Sequence, residues 1–228
     1  SALDVVKIEK QEVPTRTTLV PLPPIGLGTP HVESLTSYFQ RLADWHDISP
    51  KLLAREFVLP RLGFNNRVGE VQADRYWRSS FFNGIGEVPH RWCQILEELT
   101  GQPGLHRLTL VPLQGLTSLH GSASAKRRWC PHCLLEAEGE GRPYGHLLWE
   151  IGCVKACPKH EIPLVSDHGC EESDSIAPIR IKHLPNLCRL CGRHLSIPPS
   201  EISLRAEEAE IAIAKCIGEL LASSLFHE

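Results

Sequence analysis

The chain has 228 residues, 42% hydrophobic and 22% charged, with a net charge of −3. This is the composition of a soluble globular protein of one or two domains, and no apolar run approaches the ~20 residues that a membrane span requires. Residues 201–228 hold six acidic and two basic side chains, leaving 21 and 22 for the rest, a balance that argues against a broad phosphate-gripping surface and makes any nucleic-acid contact local.

Residues 1–32 hold Pro14, Pro21, Pro23, Pro24 and Pro30 with Gly26 and Gly28, which resists helix interior and central strand and predicts an extended arm. From Glu33 the stripe of Leu35, Tyr38, Phe39, Leu42 and Trp45 has helical spacing, as in a helix that buries one face. Ser49 and Pro50 supply an N-cap and first residue for a second helix that ends before Pro60. The short turn through Asp47 and Ile48 makes the pair helix-turn-helix-like, or part of another small helical bundle. Gly63 to Gly86 reads as irregular, anchored by Tyr76, Trp77, Phe81 and Phe82. A third helix carries Trp92, Ile95, Leu96 and Leu99, with Gly101 where a left-handed cap belongs. Residues 102–124 read as a connector broken by Pro103, Gly104, Pro112, Gly115 and Gly121, and Ile202–Phe226 as an acidic amphipathic helix. The face of that helix with Ile213, Ile217, Leu220 and Leu221 either packs on the body or pairs with a second copy.

The nine cysteines decide the chemistry. Five stand in C-x-x-C pairs (Cys130/Cys133, Cys188/Cys191) or in a C-x-x-H motif (Cys157), which is ligand spacing, and no leader for secretion opens the chain, so the reading is a cytoplasmic metal-binding protein. Cys130 and Cys133 stand two residues apart; after 23 more residues Cys157 and His160 repeat the geometry. Three thiolates and an imidazole make a closed tetrahedral zinc set that leaves no position for an activated water. Cys188 and Cys191, followed by Gly192, form a second knuckle, and Cys170 is the nearest remaining cysteine. His168 is the choice for its fourth ligand, with His183 and His194 as competitors. Two zinc ions per chain follow.

The rest takes plainer readings. Cys93, Cys153 and Cys216 read as small core residues, His132 as redundant between two thiolates, and Trp129 and Trp149 as lids over the metal. The run Lys126-Arg127-Arg128 is the candidate phosphate contact. No phosphate loop, nucleophile elbow or His-Glu-x-x-His motif is present, so no catalytic residue is assigned and the chain reads as a non-enzyme. The fold class is mainly α with small zinc-ribbon or zinc-finger modules. An extended arm (1–32) leads into a helix-turn-helix-like domain (33–120), then tandem zinc-binding modules (121–200) and a C-terminal helix (201–228).

Several motifs occur in a recognisable order. The segment Glu33 to Ala43 leads to Leu99-Thr100-Gly101 and Leu108-Thr109-Leu110, then to Arg128-Trp129-Cys130-Pro131-His132-Cys133-Leu134. Tyr144, Trp149, Cys157-Pro158-Lys159-His160 and Leu164 follow. Over about residues 20–195 this resembles the TniQ family, and the zinc portion is the more specific part. Only the zinc ligands carry over residue by residue. The resemblance implies a target-selection factor of a bacterial transposon, with a helix-turn-helix domain and tandem zinc fingers joining target recognition to an AAA+ transposition ATPase. Recognition in the family is by sequence-specific DNA binding or, in CRISPR-associated transposons, by an RNA-guided complex. The second module departs from the family pattern, because Val165–Cys170 offers one cysteine where a pair is usual; either His168 substitutes or that module binds metal poorly. The short chain after the second knuckle fits the adaptor role. The alternative is a self-sufficient, sequence-specific zinc-containing DNA-binding protein.

Overall fold

The structure, a computed structural model, describes residues 16–63, 82–114, 124, 126–170, 184–188, 191–197 and 205–223. Its helices are α1 (Leu35–Trp45), α2 (Pro50–Leu53), α3 (Glu87–Thr100), α4 (Pro131–Gly139) and α5 (Glu208–Ala222). Among the described residues there is no sheet, only isolated bridges such as Glu33 with His146 and Trp129 with Val165. The protein is mainly α, as the periodicity predicts.

Ser34 caps α1, its Oγ accepting the Ser37 N–H at 3.2 Å, and Leu35, Tyr38, Phe39 and Leu42 are buried. The expected stripe stops one turn short: Trp45 is 66% exposed, because the helix ends there and the chain turns away. Asp47 takes a left-handed conformation (φ 52°), and the Asp47 and Ile48 amides donate to the Asp44 and Ala43 carbonyls at 3.0 and 3.1 Å. These bonds close the helix as a Schellman motif. Ser49 caps α2 through the Leu52 N–H, and α2 continues as a π-helical turn, Ala54–Val58, before Pro60. Helix α3 buries Trp92, Ile95, Leu96 and Leu99, and Gly101 (φ 68°) caps it as expected. Phe39, Phe82 and Trp92 meet edge to face, with centroids 4.9–5.9 Å apart. Of the four predicted anchors Phe82 is thus a core residue; Tyr76, Trp77 and Phe81 lie outside the described residues.

Residues 102–114 are not the connector that their prolines and glycines predict. They form two 3-10 turns, Leu105–Leu108 and Val111–Leu113, which place Leu105, Leu108, Leu110 and Leu113 in the core. The breakers shape these turns: Gly104 supplies a positive φ of 78° and Pro112 sits within the first turn of the second. The same apolar core takes in Leu147, Leu148, Ile151 and Val154 from beyond the first knuckle, and Ala214 and Leu221 from α5.

Glu33 joins the N-terminal segment to this body. Its buried carboxylate accepts Arg41 Nε at 2.8 Å, Arg41 Nη2 at 3.0 Å, Ser37 Oγ at 2.8 Å and the Ile25 N–H at 3.3 Å. Burial pushes its pKa up although Arg41 opposes the shift. Leu19 is buried and its N–H reaches the Leu99 carbonyl at 2.8 Å, so the described part of the expected arm is fastened down.

Helix α5 packs on the body, one of the two outcomes expected of it. Its buried residues are Ile211, Ala214, Gly218 and Leu221, while Ile213, predicted on the apolar face, is 44% exposed. The reason is phase: the 211, 214, 218, 221 row is three- and four-spaced, and Ile213 falls outside it. A Cβ added at Gly218 lies 2.9 Å from Pro30 Cβ. Gly218→Ala is therefore expected to lower stability by about 1 kcal/mol in urea denaturation, overpacking outweighing helix propensity. An undocked helix would instead gain about 1 kcal/mol.

Candidate metal centres

The first centre is assembled from three local structures. Trp129 and Val165 exchange backbone hydrogen bonds of 2.9 and 2.8 Å, which sets Cys130 at the N-cap of α4. Pro131 opens that helix without needing an amide partner, and Cys133 follows in its first turn. On the facing turn, the Glu161 N–H donates to the Cys157 carbonyl at 2.8 Å and the Cys157 N–H to the Ile162 carbonyl at 2.9 Å. His160 Nδ1 lies 3.4, 3.3 and 3.6 Å from the sulfurs of Cys130, Cys133 and Cys157. Cys133 and Cys157 Sγ are 3.6 Å apart.

These separations fit one ion. Zinc–sulfur bonds of about 2.3 Å in a tetrahedron give edges of about 3.7 Å. The thiols also influence one another: hydrogen bonds from Cys130 and Cys133 hold Cys157 far below the usual thiol range, and hydrogen bonding with Cys130 and Cys157 pushes Cys133 far above it. Three adjacent thiolates would need a shared cation, and a zinc ion held by these residues would supply it. Cys130, Cys133, Cys157 and His160 thus form a group able to hold a zinc ion.

Around this group, His160 turns its other nitrogen outward. Nε2 lies 3.1 Å from Glu136 Oε1, and Lys159 Nζ donates to Glu136 Oε2 at 2.6 Å. With Nδ1 facing the metal position, the Nε2–H donates to the carboxylate and fixes ring and tautomer. His132 is exposed beside the His160 ring and outside the donor set. Trp129 and Trp149 are buried in one apolar cluster with the cysteines of both centres, Leu134, Val165 and Leu195, as their reading as lids requires.

The second group comprises His168, Cys170, Cys188 and Cys191. Cys170 and Cys188 Sγ are 3.7 Å apart, as are Cys191 Sγ and His168 Nε2, so zinc fits here too. The knuckle repeats the first one: the Gly192 N–H donates to the Cys188 carbonyl at 3.0 Å, with φ 71° at Gly192. Of the competitors to His168, His194 Nδ1 lies on Glu138 Oε1 at 3.0 Å, away from the sulfurs, and His183 is outside the described residues.

The basic run is a correction. Arg128 is buried, and its guanidinium donates to the carbonyls of Trp149, Ile151, Gly152 and Val154 at 3.1, 2.5, 3.3 and 2.5 Å. Arg127 donates to the carbonyls of Leu187 (3.2 Å) and Pro185. Neither arginine is free for phosphate, because these six main-chain acceptors, in a strand-poor region, have no ladder and draw on these side chains. Lys126 is exposed. Cys93 is buried, and burial pushes its thiol pKa up; Cys153 and Cys216 are exposed, contrary to their reading as core residues.

Sequence reasoning missed Glu136 and Glu161. The first was readable, since i, i+3 spacing from Cys133 puts its carboxylate beside the thiolate on one helix face. The second occupies, at φ 54°, the left-handed position that Gly192 fills in the other knuckle. Its carboxylate pairs with Arg205 and Lys215 at 2.9 Å each, and its carbonyl accepts the Ala206 N–H at 2.8 Å. The knuckle thereby holds the start of α5.

A mainly helical body with two Cys/His groups able to hold zinc defines a helical protein with tandem zinc-binding modules. The TniQ family model matches residues 24–164, and the chain belongs to the TniQ family. The match takes in the helical body and the first metal centre and ends before the second. No curated protein matches the chain. Membership implies a part in target selection during DNA transposition, in a family of non-catalytic accessory proteins that work with target DNA and transposase components. No described helix is long and apolar enough to cross a membrane.

Two outcomes test these contacts. Glu136→Gln is expected to weaken zinc binding about 10- to 100-fold in chelator competition, with His132→Ala unchanged. Glu161→Gly is expected to keep the wild-type zinc affinity, because glycine suits a positive φ, while the amides of 208–222 exchange faster with deuterium.

Proposed function

We propose that this chain is a non-catalytic adaptor that links a target-recognition complex, or target DNA, to an AAA+ transposition ATPase. In this reading Cys130, Cys133, Cys157 and His160 ligate one structural zinc, and His168, Cys170, Cys188 and Cys191 a second. The helical stretch 33–120 and the modules of 121–200 present surfaces to partners, in a bacterial cytoplasm. An RNA-guided CRISPR complex suits such an adaptor, since guide pairing supplies the sequence specificity.

The observation that carries the adaptor reading is the use of arginines as braces inside the fold. Arg127 and Arg128 hold backbone carbonyls and Arg41 holds Glu33, so these side chains serve the fold rather than a phosphate surface. Both donor sets are closed, which suits zinc as a structural element and leaves no coordination position for water activation. A homodimer through α5 is not part of the proposal, because the apolar row of that helix faces the body.

One observation favours the runner-up, a direct DNA reader. Exposed His90, Arg91 and Gln94 lie on α3, a face that could enter a groove. The deciding experiment offers the zinc-loaded protein to its transposon's ATPase and to a random duplex pool at near-physiological salt. Binding to the ATPase with little sequence selection on DNA is the expected result. Selective duplex binding with a steep salt dependence, and none to the ATPase, would transfer the role to the reader.

Metal removal has its own expectation. Chelation, or Cys157→Ser, should unfold residues 126–197, because a ligand set that exists only in the folded chain couples metal affinity to folding. Calorimetry together with metal analysis checks this. A variant with wild-type melting temperature and metal content would contradict it.

A further inference from the structure

Helix α4 stands between the two metal centres and bonds to both. Cys133 and Glu136 address the first. Glu138, two residues further and about 200° around the helix axis, addresses the second knuckle. Its Oε1 accepts Asn186 Nδ2 at 2.6 Å and lies 3.0 Å from His194 Nδ1; its Oε2 accepts Ser196 Oγ at 2.9 Å. These partners flank Cys188 and Cys191 on both sides in sequence, so one carboxylate grips both ends of the knuckle.

Two further bonds follow the same path. Trp129, next to Cys130, donates its indole N–H to the Leu195 carbonyl at 3.0 Å. Arg127 donates to the carbonyls of Leu187 and Pro185. The knuckle's own backbone bonds are few among the described residues: the Cys188 N–H to Arg193, the Gly192 N–H to Cys188 and the Leu195 N–H to Asn186, at 2.9, 3.0 and 2.8 Å. Cysteines of both centres lie in a single apolar cluster. A hairpin this small is positioned from outside.

We propose that α4 couples the two metal centres, with Glu138 as the positioning residue that holds the second knuckle where Cys188 and Cys191 meet His168 and Cys170. The proposal rests on the ligand sets assigned above. An ion at the first centre fixes Cys130 and Cys133 and thus α4 and the segment that leads into it; α4 presents Glu138 and the leading segment Trp129 and Arg127; the second knuckle is then held ready for its ion. By linkage the coupling is reciprocal, so each ion tightens the other by the same factor. Modules that folded independently would load independently.

The test uses the full chain loaded with zinc. Native mass spectrometry counts the ions, graded chelator competition measures their release, and cadmium-113 NMR after exchange reports each centre separately. The wild type is expected to hold two ions and release them in one cooperative step. Glu138→Ala should keep one ion at wild-type intrinsic affinity and hold the other about 10- to 100-fold more weakly, splitting the release into two steps. Glu138→Gln, which retains one acceptor oxygen, should fall between and serves as the readout should the alanine variant misfold. Cys188→Ser should weaken the first centre in the wild-type background but not beside Glu138→Ala.

A Glu138→Ala protein that releases both ions at the wild-type chelator concentration, even with a lower melting temperature, overturns the proposal. So does a first centre indifferent to Cys188→Ser. A wild type that binds fewer than two ions overturns the ligand assignment itself, a failure visible before any variant is made.

Discussion

Three thiols and an imidazole gathered within 4.8 Å of one another form an arrangement that polypeptide alone does not favour. Ionised together the sulfurs repel; protonated together they leave polar atoms buried with weak partners. A divalent cation resolves both problems. The constraint reaches well beyond its four ligands, because residues 126–197 have little other regular structure than α4 among those described. Without strand ladders or long helices, the region needs fixed points. Two Cys/His groups able to hold zinc, a shared apolar cluster and a few side-chain clamps supply such points.

The clamps show how main-chain groups are satisfied where secondary structure is sparse. Arg128 collects four carbonyls of the 149–154 segment and so joins the knuckle to a stretch whose Ile151 and Val154 are part of the helical core. Across the molecule, Ser34 donates its N–H to the Gly145 carbonyl and Leu147 its N–H to that of Val32, at 2.9 and 2.8 Å. The helical body and the metal-bearing region therefore share a core and a hydrogen-bonded seam. A partner that docks on one can be felt by the other through packed side chains, which suits a protein whose family works with target DNA and transposase components.

Several charged side chains among the described residues brace the fold. Glu136 with His160 and Lys159, Glu138 with the second knuckle, and Glu161 with Arg205 and Lys215 each join segments distant in sequence, while Glu33 with Arg41 braces a shorter span. The exposed pairs among them add little by themselves. Their value lies in geometry, since each one fixes the direction of a loop that has few other bonds.

Much of this was legible in the sequence. Helical spacing, the Ser49-Pro50 start and the Gly101 stop are local signals, governed by side chains a few residues apart, and they placed the first three helices. The first metal centre was equally readable, because two knuckles with two-residue spacing bring four donors together wherever the chain takes them. The second was legible down to its three cysteines; choosing His168 over His194 depended on which ring the folded chain turns toward the sulfurs and which toward Glu138. Tertiary structure alone decided the rest. Whether Arg128 meets phosphate or carbonyls, whether Trp45 and Ile213 meet core or water, and whether residues 102–114 are linker or core depend on what packs over them. Spacing along the chain determines which atoms can share an ion or a helix face, whereas burial is set by neighbours that arrive from a hundred residues away.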